Sequence, residues 1–176
     1  GDHILLDGQV NGFATNEKLG LGYAKGGYFS LGMERRAEEL THLLEGVVGG
    51  IIEFDNKVLL TATEQGYTLP QIATSTEQGS QKTVRKFLDA QGLDCEIGPV
   101  YSVYENLKAQ KFTTYYRVSA NNGLAGELGE YIDIDKIADL NFVSSDIQSM
   151  MQRFVSEKQN GAFRLYVGDN ETGNIH

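Results

Sequence analysis

Apolar positions recur along this chain in two rhythms, one near every third or fourth residue and one at every second. Residues 33–45, MERRAEELTHLLE, are rich in strong helix formers, and Leu40, Leu43 and Leu44 give them one apolar face. Gly46 then stops that helix. The following VVGGIIEFDNKVLLTAT contains two β-branched runs joined at Asp55-Asn56-Lys57, which predicts a hairpin. Residues 80–91 carry the apolar stripe Val84, Phe87 and Leu88, with Arg85 and Asp89 spaced as an i,i+4 pair. Gly92 supplies the left-handed stop. Residues 95–104 and 112–120 alternate apolar and polar side chains as strands do. The glycine-rich NNGLAGELGE leads into Tyr131-Ile132-Asp133-Ile134-Asp135 and a short helix beginning near Asp135. Residues 144–158 place Ile147, Met150, Met151, Phe154 and Val155 on one helical face, capped by Ser144 or Ser145. A last strand is predicted at 163–167, before a turn-rich tail.

Composition narrows the class. A chain of 176 residues with 40% hydrophobic content has enough apolar residues for one full core. No apolar run reaches membrane-spanning length and nothing at the start resembles an export signal, so a soluble cytoplasmic protein without a membrane partner is expected. Gly1 stands where an initiating methionine would, which leaves room for residues upstream. Cys95 is the only cysteine, which excludes an internal disulfide and a cysteine-based zinc cluster. A net charge of −9 with no basic tract argues against nucleic acid as a partner. Gly20, Gly22, Gly26 and Gly27 lack the spacing and the following Lys-Ser/Thr of a phosphate-cradling loop. The aromatics among them, Tyr23, Tyr28 and Phe29, are expected to cover a sheet edge or a subunit interface. The scattered His3, His42 and His176 give no support to a Ser/His/Asp or Cys/His site.

The stretch 69–93, LPQIATSTEQGSQKTVRKFLDAQGL, carries the candidate chemistry. It resembles, as a degenerate copy, the signature of the Nudix hydrolases, G-x5-E-x7-R-E-U-x-E-E-x-G-U, where U is a bulky aliphatic. Gln71 falls at the first glycine, Glu77 at the first glutamate, Arg85 at the arginine and Gly92-Leu93 at the close. The central R-E-U-x-E-E is Arg85-Lys86-Phe87-Leu88-Asp89-Ala90, so one of three acidic positions survives. Pyrophosphate hydrolysis needs a hard cation held by carboxylates, and helical positions three and four apart would gather them on one face. Lys86 and Ala90 remove that face. Read without the resemblance, residues 80–91 are an ordinary surface helix, and Glu127 and Glu130 belong to a solvated acidic loop.

The order of elements resembles the same family over residues 46–158. A Val/Gly/Ile strand, an acidic turn and a V-L-L strand precede Leu69-Pro70-Gln71, and a glutamate-bearing loop follows the signature. The resemblance implies an α/β fold, a Nudix-like α/β/α sandwich with a mixed β-sheet, helix 80–91 on one face and 144–158 on the other. Residues 1–45 are then an N-terminal extension, suggesting a homodimer, and 46–176 the Nudix-like domain. Two functions follow by the same analogy. In the first, hydrolysis is lost and Arg85, Lys86 and Gln71 bind a nucleoside-diphosphate-type small molecule with no cofactor. In the alternative, an atypical pyrophosphohydrolase uses Mg²⁺ or Mn²⁺, with Glu77, Asp89 and Glu130 catalytic and Asp89, Glu77 and Glu127 holding the metal.

Overall fold

The structure is a computed structural model, described here for residues 21–24, 27–30, 46–74, 80–106, 111–169 and 173–175. The helix expected at 33–45 and the glutamate expected at 77 lie outside these residues. Two short strands, β1 (Leu21–Ala24) and β2 (Gly27–Ser30), pair antiparallel as a separate ribbon.

Among the described residues the main sheet has nine strands: β3 (Gly46–Phe54), β4 (Lys57–Thr63), β5 (Gly66–Thr68), β6 (Gln71–Thr74), β7 (Cys95–Asn106), β8 (Lys111–Ala120), β9 (Glu130–Asp133), β10 (Tyr166–Asp169) and β11 (Gly173–Ile175). Their order is β11-β10-β7-β8-β3-β4-β5, with β6 added to β3 and β9 to β4. The sheet is mixed: β3 runs parallel to β8 and β10 parallel to β7, while β7 and β8 are antiparallel.

The predicted hairpin forms between β3 and β4. Asp55 and Asn56 both take positive φ, 46° and 59°, the conformation a two-residue turn requires and one that Asp and Asn tolerate. Lys57 belongs to the strand, opposite Phe54.

Helix α1 (Ser80–Ala90) ends in a Schellman motif: the Leu93 N–H reaches the Leu88 carbonyl at 3.1 Å and the Gly92 N–H reaches the Asp89 carbonyl at 3.0 Å. Gly92 sits at φ 73°, and Leu93 and Leu88 share one apolar cluster. A 3-10 helix (Ile134–Asp139) leads to α2 (Ser145–Asn160). The Ser144 side chain accepts from the Ile147 N–H at 3.4 Å, and Gly161 closes the helix at φ 65°.

The sheet separates two cores. On one face Val84 and Leu88 of α1 pack with Val48, Ile52, Leu59, Tyr116 and Val118. On the other Ile147, Met151 and Phe154 of α2 pack with Ile51, Leu60, Tyr101 and Tyr115. Alternation along β3 and β8 sends successive side chains to opposite helices, giving the expected sandwich. No helix among the described residues is long and apolar enough to cross a membrane.

Candidate functional site

On the α2 face a cavity of about 320 Å³ lies between the first turns of α2 and the strands β7 and β10. A β-bulge shapes its floor. The β7–β8 register slips between Ile97 and Val100 and again between Val100 and Ser102, beside Pro99. Tyr101 is the extra residue, so Tyr101 and Ser102 both serve the α2 side of the sheet. Ser102, Tyr104 and Tyr166 then form the strand side of the cavity, and Ser145, Asp146, Ser149, Met150 and Arg153 the helix side. Asp169 and Ile175 complete the rim.

Arg153 is held in place rather than aimed at a ligand. It donates to the carbonyls of Arg164 at 2.7 Å and Tyr101 at 3.3 Å, meets Glu157 Oε1 at 3.3 Å, and lies 4.0 Å over the Tyr101 ring. Glu157 Oε2 accepts from the Tyr101 hydroxyl at 2.8 Å. The positive charge of Arg153 is thereby compensated next to the cavity, whose lining also carries Asp146 and Asp169. Burial, then the negative charge of Asp146, pushes the Tyr104 hydroxyl up to about 12. Burial and then Asp169 raise Tyr166, with a further push from Asp146.

The residues singled out from the sequence are distributed differently. Gln71 begins β6, and its Oε1 accepts from the Tyr115 hydroxyl at 2.5 Å. Tyr115 belongs to the α2 core, so Gln71 stands apart from the α1 face. Arg85 donates to the Cys95 carbonyl at 2.7 Å and lies 4.0 Å from Asp89, fastening α1 to the start of β7. Burial pushes the Cys95 thiol up, with the Arg85 charge working in the opposite direction. Lys86 and Asp89 are exposed on α1. Glu127 and Glu130 are exposed on the 121–130 segment, whose Gly126 lies against the Gln91 carbonyl. Among the described residues no group of three His, Cys, Asp or Glu side chains is arranged to hold a metal ion.

With this geometry, comparison with solved structures defines the class of fold. A Nudix hydrolase from Nitrosomonas europaea superposes with a TM-score of 0.62 over 72% of this chain and 78% of its own, at 19% identity. The chain therefore has the Nudix fold. No family model matches it. Sequence relatives carry a different activity in their names. A Rhizobium meliloti protein named as a probable flavin reductase is 32% identical over 100% of this chain and 56% of its own length. The reductase component of a flavin-dependent trigonelline monooxygenase from Acinetobacter baylyi is 25% identical over 99% of this chain and 56% of its own. A Sinorhizobium meliloti structure named as an oxidoreductase has a TM-score of 0.70 at 28% identity, covering 86% of this chain and 52% of that one. The chain thus spans a little over half the length of the curated relatives it matches.

These names correct the functional expectations. A nucleoside-diphosphate ligand in a silent Nudix site, the alternative Mg²⁺- or Mn²⁺-dependent pyrophosphohydrolase, and the hydrolase-like label all give way to relatives named as reductases. The physical reason is that element order specifies a fold, whereas chemistry resides in particular side chains, and one fold hosts many activities. Residues Ser102, Tyr104, Asp146 and Tyr166 were not singled out from the sequence. The available signal was Pro99 beside a tyrosine-rich strand, a place where a bulge re-aims side chains.

Proposed function

We propose that this chain is the Nudix-fold part of an NAD(P)H-dependent flavin reductase that delivers reduced flavin to an oxygenase partner. The observation that carries the reading is 32% identity along 100% of the chain to a protein named as a probable flavin reductase. The relative that is a reductase component of a monooxygenase supports the oxygenase as partner. In this reaction NAD(P)H gives a hydride to oxidised flavin, a proton completes the dihydroflavin, and NAD(P)⁺ is released.

The α2 cavity does not fit a phosphate-bearing flavin or a nicotinamide dinucleotide. Asp146 and Asp169 line it, and the guanidinium of Arg153 is already engaged by two carbonyls and a carboxylate. A phosphate brought there would meet like charge without a compensating donor fork. No hydride-transfer step is therefore routed through this cavity. Within the reductase the Nudix-fold part serves as a binding and assembly module, beginning near Gly46, with residues 1–45 as its extension. In the same reading the 69–93 stretch is a degenerate Nudix box kept for folding, with Arg85 as its anchor.

The test is anaerobic reduction of FMN, FAD and riboflavin by NADH and NADPH, using the full gene product and following loss of the visible flavin absorbance. Turnover above the protein-free background is expected with at least one pairing. No acceleration with any pairing overturns the reading.

A further inference from the structure

We propose that the cavity between α2 and strands β7 and β10 is a binding site for a small organic cation of the quaternary-ammonium type. Its volume, about 320 Å³, lies at the small end of the range for small-molecule pockets. Its lining combines aromatic and sulfur surface, Tyr104, Tyr166 and Met150, with the carboxylate-bearing Asp146 and Asp169. Aromatic side chains beside carboxylates form the environment in which a weakly hydrated cation is attracted by ring quadrupoles and by charge together.

The surrounding groups set the sign. Arg153 is the cation of the lining, and Glu157 sits 3.3 Å from its guanidinium. Asp146 lies in the first turn of α2, where the helix dipole favours an anion, and its Oδ1 accepts from the Ser145 hydroxyl at 3.4 Å. The negative field of Asp146 reaches Tyr104, Tyr115 and Tyr166, all of whose hydroxyls are raised, after burial, partly by it. Tyr166 is fixed, donating to the Asp169 carbonyl at 2.8 Å, and its ring lies against Gly173, where a Cβ would collide with it. Packing thus presets the aromatic wall before a ligand arrives. The inference stands on this cavity alone and is independent of where the reductase transfers hydride.

Calorimetric titration with choline tests it, with the isostere whose quaternary nitrogen is replaced by carbon as the uncharged control and inorganic phosphate as the anionic one. One choline per chain is expected, with the isostere weaker by about tenfold, corresponding to the charge-dependent part of the attraction. Asp146→Asn, which keeps shape and removes charge, should weaken choline by a similar factor. Ser149→Phe, filling the mouth from an exposed helix position, should abolish it. No heat with millimolar choline, equal binding of the isostere, an unchanged affinity in Asp146→Asn, or preferential binding of phosphate would each overturn the proposal. Because flavin reduction is read in a separate assay, a failure here leaves the reductase reading standing, and the reverse.

Discussion

Glu157 offers the sharpest test of how the cavity is held, because one carboxylate serves three partners. It accepts from the Tyr101 hydroxyl at 2.8 Å, faces Arg153 at 3.3 Å and receives the Arg164 N–H at 3.4 Å. The pair is largely shielded, with side-chain exposures of 12% for Glu157 and 16% for Arg153, so water replaces only part of what is lost. Tyr101 itself is 1% exposed. Removing one member of a buried pair costs about 3–5 kcal/mol, and a hydrogen bond to a charged group about 1.5–3 kcal/mol, but both estimates count the same carboxylate. Arg153 also keeps two carbonyls and its stacking on Tyr101, which places Glu157→Ala at the lower end, about 3 kcal/mol. For a chain of this size that lowers the melting temperature by about 6–12 °C.

Glu157→Gln separates charge from hydrogen bonding. The amide oxygen still accepts from Tyr101 while Arg153 loses its counter-charge, so a loss of about 1–3 kcal/mol, smaller than that of Glu157→Ala, is expected. Thermal and urea unfolding of both variants, with Tyr101→Phe completing a double-mutant cycle, measure the coupling directly. Additive effects of Glu157→Ala and Tyr101→Phe would refute the clamp. So would a melting point within about 2 °C of the parent for Glu157→Ala.

The other expectations concern alkaline pH and two glycines. Tyr104, raised to about 12 by burial and then by Asp146, keeps its proton in the folded chain after the unfolded chain loses it at the ordinary value of 10. Its contribution is complete below pH 10 and falls by about 1.4 kcal/mol per pH unit until about 12, so Tyr104→Phe should flatten the pH dependence of the urea midpoint in that window. An unchanged slope would place the alkaline loss elsewhere. Gly129 takes φ 141°, and a Cβ there would collide with the Leu60 carbonyl oxygen, whereas Gly92 takes φ 73° with nothing within 4 Å. Gly129→Ala should therefore cost about 2–4 kcal/mol and Gly92→Ala about 1 kcal/mol, and the reverse order in urea melts would contradict the steric account.

Local grammar carried most of the fold. The Asp55-Asn56 turn, the Gly92 stop, the Ser144 cap and the apolar stripes of both helices follow from short-range physics, and the structure realises each of them. Long-range pairings were less legible. Nothing in QIAT says that β6 lies antiparallel on β3 opposite Gly46 to Gly49, because that edge is chosen by the whole sheet. The last strand also sits later than its apolar run suggests, at Tyr166–Asp169, since pairing to β7 places Tyr166 opposite Ser102. The cavity was hidden for the same reason: Ser102, Tyr104, Asp146 and Tyr166 are far apart in sequence and meet only through a bulge and the β7–β10 crossover. Function was hidden more deeply, since a resemblance in element order speaks for the fold and leaves chemistry open.

The two faces of the sheet carry separate sets of residues. Within the 69–93 stretch, Arg85 fastens the helix to the Cys95 carbonyl, Gly92 makes the left-handed exit, and Leu93 is 3% exposed in the core. Lys86 and Ala90 are exposed and lie outside that core. The seat of the helix depends on Val84, Leu88 and the cap, so the exposed positions of α1 can carry other side chains without unseating it. The cavity on the other face is built from α2, β7 and β10 and shares none of those residues. The sheet core separates the two faces, so the side chains lining the α2 cavity can vary while the α1 side keeps the fold.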